Sequence, residues 1–283
     1  MRIWITLRAA PPIVLPLNYT YHLAGLIYHL LARSSQEYAA FLHGEGYGEG
    51  DRRFKLFTFS QLLGGQRRIE GDRLHLGSER VRWYITSPID AFVLHLVDGM
   101  LGVGTVEVAG VPFTIAQIEA LPEPEFAPEM QFTCLAPITM SVRSAGQRWA
   151  QYLAPEDPRF ATAIRANLER KYALVHAHAS GDRAPLTGEP FTFTFDPDYI
   201  ARRGGRISKL MDYKGIKIRG YLAPSPSPVP QRCCRSAINT GSGTRIVRDL
   251  GWWRSLDRIR ENDRWPWDHP STLTPAIRSW ILD

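Results

Sequence analysis

Leu23, Leu26, Ile27, Leu30 and Leu31 recur three and four residues apart, which is one apolar face of a helix. Each residue turns a helix by about 100°, so Tyr28 falls on the flank of that stripe. Ser34 and Glu37 have the spacing of a capping box and predict a second helix over Gln36–Leu42. Glycines from Gly44 onward end it, leaving His43 at a helix C-terminus. FKLFTFSQLL then alternates, predicting a strand over Phe54–Leu63 that Lys55 opens. The same alternation predicts strands over Arg2–Arg8 (RIWITLR) and Val81–Ser87 (VRWYITS). A helix is predicted over Ala91–Leu101, and a final strand over Thr105–Leu121 with a break at Gly110-Val111-Pro112. The order βαββαβ is the ferredoxin-like arrangement.

The acidic, proline-rich stretch Pro122–Pro128 reads as a domain boundary. A second βα unit follows, with a strand pattern over Met130–Val142 and a helix over Arg159–His176. FTFTFDP (Phe191–Pro197) and DYKGIKIRGYLAP (Asp212–Pro224) alternate as strands, joined by the basic stretch RRGGRISK. From Pro224 the pattern is lost: no period of 2 or 3.6 persists, and five of the eight tryptophans lie in this last segment. The fold class is therefore α+β, with tandem ferredoxin-like domains of which the second is incomplete. The domains are 1–122, 129–223, and an aberrant, poorly ordered tail over 224–283. Without a closing helix and strand, the apolar face of FTFTF and IKIRGYL should be poorly covered.

A length of 283 residues and 44% hydrophobic content allow two modest cores. No apolar run approaches the roughly 18 residues of a membrane-spanning helix, and Met1–Leu7 is a strand pattern, so a soluble cytoplasmic protein is expected. Three cysteines, two of them adjacent, provide neither a disulfide framework nor a metal-ligand spacing, and no cofactor is expected. The net charge of +6 suits a polyanion and is evenly spread. Residues 1–223 carry 25 Lys+Arg against 22 Asp+Glu, and residues 224–283 carry 9 against 6, which is +3 for each part. Arginines outnumber lysines 29 to 5, which favours phosphate and base recognition but also follows from GC-rich coding. Arg52 and Arg53 could hold phosphates near a reaction centre. Lys214, Lys217 and Arg219 are a plausible RNA platform along one strand. Any one of these residues alone reads as a solvated surface charge.

Tyr28, His43 and Lys55 can converge from three elements. Metal-free RNA cleavage needs such a set. A 2′-hydroxyl loses a proton and attacks phosphorus, and the departing 5′-oxygen gains one. An imidazole can perform either transfer, and the partial negative charge of a helix C-terminus suits a protonated ring. A lysine can offset charge building on the phosphoryl oxygens, and a tyrosine hydroxyl can orient or polarise the other end. The same residues also read as an interfacial aromatic, a helix terminator and a surface charge.

LPLNYTYHLAGLIYHLL, EYAAFLHGEGY and FKLFTFSQLL resemble the N-terminal signature of the CRISPR-associated endoribonucleases that process repeat RNA (the Cas-six family, RAMP superfamily). The P-I, N-L-x-x-K-Y and Y-K-G-I-K-I-x-G-Y-L motifs resemble its second half, and the similarity stops near Ala223. The resemblance implies catalytic roles for Tyr28, His43 and Lys55. The implied reaction is metal-independent cleavage of CRISPR repeat RNA, leaving 2′,3′-cyclic phosphate and 5′-hydroxyl ends. Further CRISPR effector subunits and a homodimer are implied partners. The rival readings are a non-catalytic repeat-RNA binder and the inactive product of a frameshifted gene.

The last reading can be examined with the genetic code. The family places a glycine-rich RNA-backbone loop, G-x-G-x-x-N-S-x-G-x-G, where this chain has none. Joining the last base of each codon to the first two of the next forces valine across Trp252-Trp253 and permits methionine across Gly251-Trp252. Continued through INTGSGTRIVRDLGWWR, the permitted codons include Y-G-L-G-D-K-N-S-Q-G-L-G-M-V-E. Pro224-Ser225 fits a Pro-Phe pair of codons that has lost one T.

Overall fold

A computed structural model describes residues 1–49, 52–122, 132–142, 151–180, 193–213, 216–226 and 253–255. In the first unit, β1 (Arg2–Arg8) and β2 (Ile13–Pro16) lead into α1 (Tyr19–Ser34) and α2 (Gln36–His43). The short strands β3 (Tyr47–Glu49), β4 (Arg52–Phe54) and β5 (Thr58–Phe59) follow. Next come the hairpin β6 (Arg67–Glu70) and β7 (Arg73–Leu76), then β8 (Arg80–Thr86), α3 (Asp90–Met100), β9 (Thr105–Val108) and β10 (Val111–Leu121). One sheet has the order β5-β8-β1-β10-β9, all neighbours antiparallel. Counting β9 and β10 together as the last strand of the motif, this is the ferredoxin-like order.

Alternation puts Ile3, Ile5 and Leu7 under the helices with 2% exposure or less. Leu23, Ile27, Leu30 and Leu31 of α1 meet them with Phe92, Val93 and Leu96 of α3. The two helices pack so closely that a Cβ on Gly99 would lie 1.9 Å from the Leu30 carbonyl oxygen.

Several local expectations are corrected. Ser35, not Ser34, caps α2: its Oγ accepts from the Tyr38 N–H at 3.1 Å, because Ser35 is the extended residue between the helices. The strand expected over Phe54–Leu63 is broken after Phe54, where Leu56 takes a positive φ of 52°. Only Thr58–Phe59 joins the sheet, with a bridge from Leu63 to Arg82. The break expected at Gly110 is a hairpin turn, with Ala109 and Gly110 at φ 53° and 84°.

The second unit comprises β11 (Phe132–Cys134), β12 (Ser141–Val142), β13 (Gln151–Tyr152), α4 (Arg159–Ser180), α5 (Pro197–Arg202), β14 (Ser208–Tyr213), β15 (Ile216–Tyr221) and β16 (Trp253–Ser255). β14 and β15 form a hairpin. Bridges Ile138–Tyr221 and Phe132–Ser225 lay the β11 segment beside it, and β16 pairs with β11 from Phe132–Ser255 to Cys134–Trp253. The closing edge that the sequence pattern leaves blank is thus occupied by Trp253–Ser255. Phe193–Phe195 is not a strand: Phe193 and Phe195 are buried while the backbone runs outside any ladder. The apolar face is covered, contrary to expectation, because Phe160 of α4 packs on Phe193, Phe195 and Tyr221. α4 touches both units: Phe160, Ile164 and Leu168 belong to the second core, and Leu174 and Val175 lean on the first. The connector over 123–128 and the tail over 227–252 and 256–283 lie outside the described residues. No helix among the described residues is long and apolar enough to cross a membrane.

Candidate active site

The site lies where α2 ends. Tyr28 is half-buried on the flank of α1, and its ring meets His43 edge-on with centroids 5.4 Å apart. Phe57 supports the tyrosine from another side at 6.1 Å. His43 is the last residue of α2 and is exposed. Lys55 is only 8% exposed, and its Nζ donates to the His43 carbonyl oxygen at 2.7 Å. The ammonium thus takes up one of the carbonyls that a helix leaves unpaired and places its charge at the C-terminus of α2. Lys55 lies in the break between β4 and β5 rather than at the start of a strand.

Local backbone chemistry permits this approach. The Gly44 N–H bonds to Ala40 O at 2.8 Å, and the Gly46 N–H bonds to Phe41 O at 2.7 Å, so the turn folds back on α2. Gly46 has φ +62°, and a Cβ there would lie 2.9 Å from Phe54 O and 3.2 Å from Lys55 Nζ. Glycine supplies both the left-handed conformation and the space for the lysine.

The proposed RNA contacts divide. Arg53 is half-buried in β4 opposite Gly48. Arg52 lies beside it opposite Glu49, and its side chain is outside the described residues, as is all of Lys214. Lys217 and Arg219 lie on one exposed face of β15, and Ile218 between them is buried. Lys217 is ion-paired to Asp212 at 2.7 Å. The Asp212 N–H reaches Asn18 Oδ1 at 3.4 Å, at the start of α1. Tyr28 lies ten residues further along, about 15 Å up the helix axis at about 1.5 Å per residue. The structure therefore gathers the tyrosine, histidine and lysine, and keeps the β15 cations at the other end of α1.

Two features were missed by sequence reasoning. Lys209, half-buried in β14, is lowered to about 8 by burial and by the neighbouring Arg67, which is itself lowered by burial. A half-buried pair of like charges has no local sequence signature. Tyr38 and Tyr47 bracket the glycine turn, and their hydroxyls are 3.1 Å apart. Their only signal was an aromatic on each side of HGEG. Among the described residues no group of three or more His, Cys, Asp or Glu is arranged to hold a metal ion.

Comparison with known proteins adds three findings. Residues 14–119 match the family described as CRISPR-associated protein Cas6, N-terminal, and residues 121–251 match CRISPR associated protein Cas6, C-terminal. The second match runs past Ala223, further than the motifs alone carried the resemblance. A CRISPR-associated endoribonuclease Cas6 of Methanocaldococcus jannaschii is 30% identical over 178 residues, 61% of this chain and 65% of that protein. The Pyrococcus furiosus CRISPR-associated endoribonuclease Cas6 is 28% identical over 190 residues, 64% of this chain and 67% of that protein. In fold, the chain is similar to a solved RAMP protein described as binding different RNA substrates. The TM-score is 0.72 at 19% identity, covering 91% of this chain and 100% of the other.

Proposed function

This chain belongs to the CRISPR-associated protein Cas6 family, and on that premise we propose that it is an endoribonuclease that cuts CRISPR repeat transcripts into guide RNAs. The observation that carries the reading is the convergence of three motif residues. Tyr28 is 5.4 Å from His43 between ring centroids, and Lys55 Nζ is 2.7 Å from the His43 carbonyl.

In the reaction the 2′-hydroxyl gives up its proton as its oxygen attacks the adjacent phosphorus. The bond from phosphorus to the 5′-oxygen breaks, and that oxygen takes a proton. The products are a 2′,3′-cyclic phosphate and a 5′-hydroxyl. His43 is exposed and free to reach either oxygen, and moves one of the two protons. Lys55 offsets the charge that grows on the non-bridging oxygens, the task a metal ion performs in other nucleases. Tyr28 orients the other end through its hydroxyl. Arg53, with Arg52 and the β15 cations Lys217 and Arg219, holds flanking phosphates, so affinity should fall steeply with added salt. Association with other effector subunits and a homodimer rest on the family resemblance.

Cleavage of end-labelled repeat RNA tests the reading. His43→Ala should lose roughly 10²–10⁴ in rate, as expected for removal of a general acid or base, while RNA binding stays nearly unchanged. Activity should survive excess chelator. A fully active His43 variant removes the site assignment, and activity that stops on chelation and returns with magnesium removes the mechanism. One observation favours the rival, a non-catalytic repeat-RNA binder: the Lys55 ammonium already serves the end of α2. Tight repeat binding by the unaltered chain with no cut product would select it.

A further inference from the structure

Tyr47 stands between His43 and Lys55 along the chain. It follows the turn that begins after His43, and it pairs in register with Phe54, the residue before Lys55. Its hydroxyl shares a hydrogen bond with the Tyr38 hydroxyl at 3.1 Å. Tyr38 lies on α2, so this bond ties β3 back to the helix that carries His43. The Phe41 ring, also on α2, meets Tyr47 edge-on at 5.3 Å and 87°.

Tyr38 is fixed in turn. Its ring lies 4.8 Å from that of His95 on α3, at a tilt of 32°. His95 Nδ1 is 3.0 Å from Ser34 Oγ, the last residue of α1. On the far side, the Tyr47 ring meets His178 of α4 at 5.4 Å and 77°. A file of contacts therefore runs from α1 and α3, through Tyr38 and Tyr47, to the long helix of the second unit. Burial raises both hydroxyls, so the pair stays protonated and neutral over any working pH.

We propose that Tyr47 is a positioning residue: with Tyr38 it closes the turn around Gly44–Gly46, fixes the distance between His43 and Lys55, and receives His178 as a prop from the second unit. Neither tyrosine is assigned a proton transfer. Each acts through the spacing of two other groups, where a misplacement of about 1 Å can cost on the order of 10²-fold in rate. The inference rests on the cleavage reading.

The test uses the full chain, with Tyr47→Phe, Tyr38→Phe and the double variant. These remove the hydroxyl bond and keep both rings. Single-turnover cleavage at saturating protein should fall about tenfold in each single variant. RNA affinity should stay within about twofold of the unaltered chain, with melting temperatures above that of the assay. The double variant should be no slower than either single one, because all three lose one bond. Wild-type cleavage in Tyr47→Phe overturns the proposal. So does a loss confined to affinity, or single effects that multiply in the double variant. A measurement without RNA keeps the two readings apart. The His43 ring signals in a proton NMR spectrum, assigned by their loss in His43→Ala, should shift in both single variants while those of His22 and His29 stay in place. Unmoved His43 signals overturn the positioning role even if the chain cleaves RNA. Shifted signals in a chain that does not cleave uphold it and reject the cleavage reading.

Discussion

Lys209 shares with Met211 and Gly220 the face of the β14–β15 hairpin that packs inward, and its charge stands close to that of Arg67. Burial and the neighbouring guanidinium hold the ammonium down to about 8, below the ordinary 10.5. The charged form is the disfavoured one in the fold, so the stability cost is complete below about pH 8. Between there and 10.5 the folded chain has released a proton that the unfolded chain keeps, and stability rises with pH. Lys209→Met should therefore melt at a higher temperature than the unaltered chain at pH 7, and the gap should close as pH approaches 10.5. An equal or lower melting temperature at pH 7 would mean that the lysine is better accommodated than its surroundings indicate. The residue scale was only partly legible in the sequence. Tyr28, His43 and Lys55 stand in contiguous motifs, and adjacency in sequence brought them to notice. Lys209 and Arg67 are far apart in the chain, and only the packing of two units makes them neighbours.

α1 and α3 show how an element depends on a missing atom. A helix gains about 1 kcal/mol when an interior glycine becomes alanine. At Gly99 the added carbon would lie 1.9 Å from a backbone oxygen of the facing helix. Backbone cannot rotate away as a side chain can, and overpacking costs typically 1–3 kcal/mol or more, so the clash outweighs the gain. Gly99→Ala should lower the urea midpoint without altering the slope of the transition; a raised midpoint would show that the helices can part at no cost. The periodic elements were legible because α1 and α3 each bury one face and expose the other, and β1 alternates buried with half-buried residues, and that contrast is written in the residues. The segment Phe54–Leu63 was misread for the opposite reason. Leu56, Phe57, Thr58 and Phe59 are all buried, so alternation carries no information there, and the left-handed turn at Leu56 has no glycine to announce it. The cap of α2 was assigned one residue early because two serines adjoin and only the backbone decides between them.

Over the whole molecule, the reading frame beyond Pro224 bears on the closing edge of the second sheet. A single lost base keeps the number of residues from Pro224 to β16, and a β ladder is built from backbone groups, so a segment in the altered frame can still bring β16 to β11. A glycine-rich loop has no such tolerance, since its glycine positions take conformations that other residues adopt at a cost. Restoring one base near codon 225 should give a chain that binds repeat RNA more tightly than the unaltered one. A gene whose shifted frame contains a stop codon between residues 238 and 253 would end this reading. α4 has one further consequence. Its first half is buried in one core and Leu174 and Val175 rest on the other. A protease that nicks the connector would therefore leave two fragments still clasped together. Denaturant should melt the chain in one step rather than two, and a transplant of either unit into a relative should succeed only when the helix travels with the surface it spans.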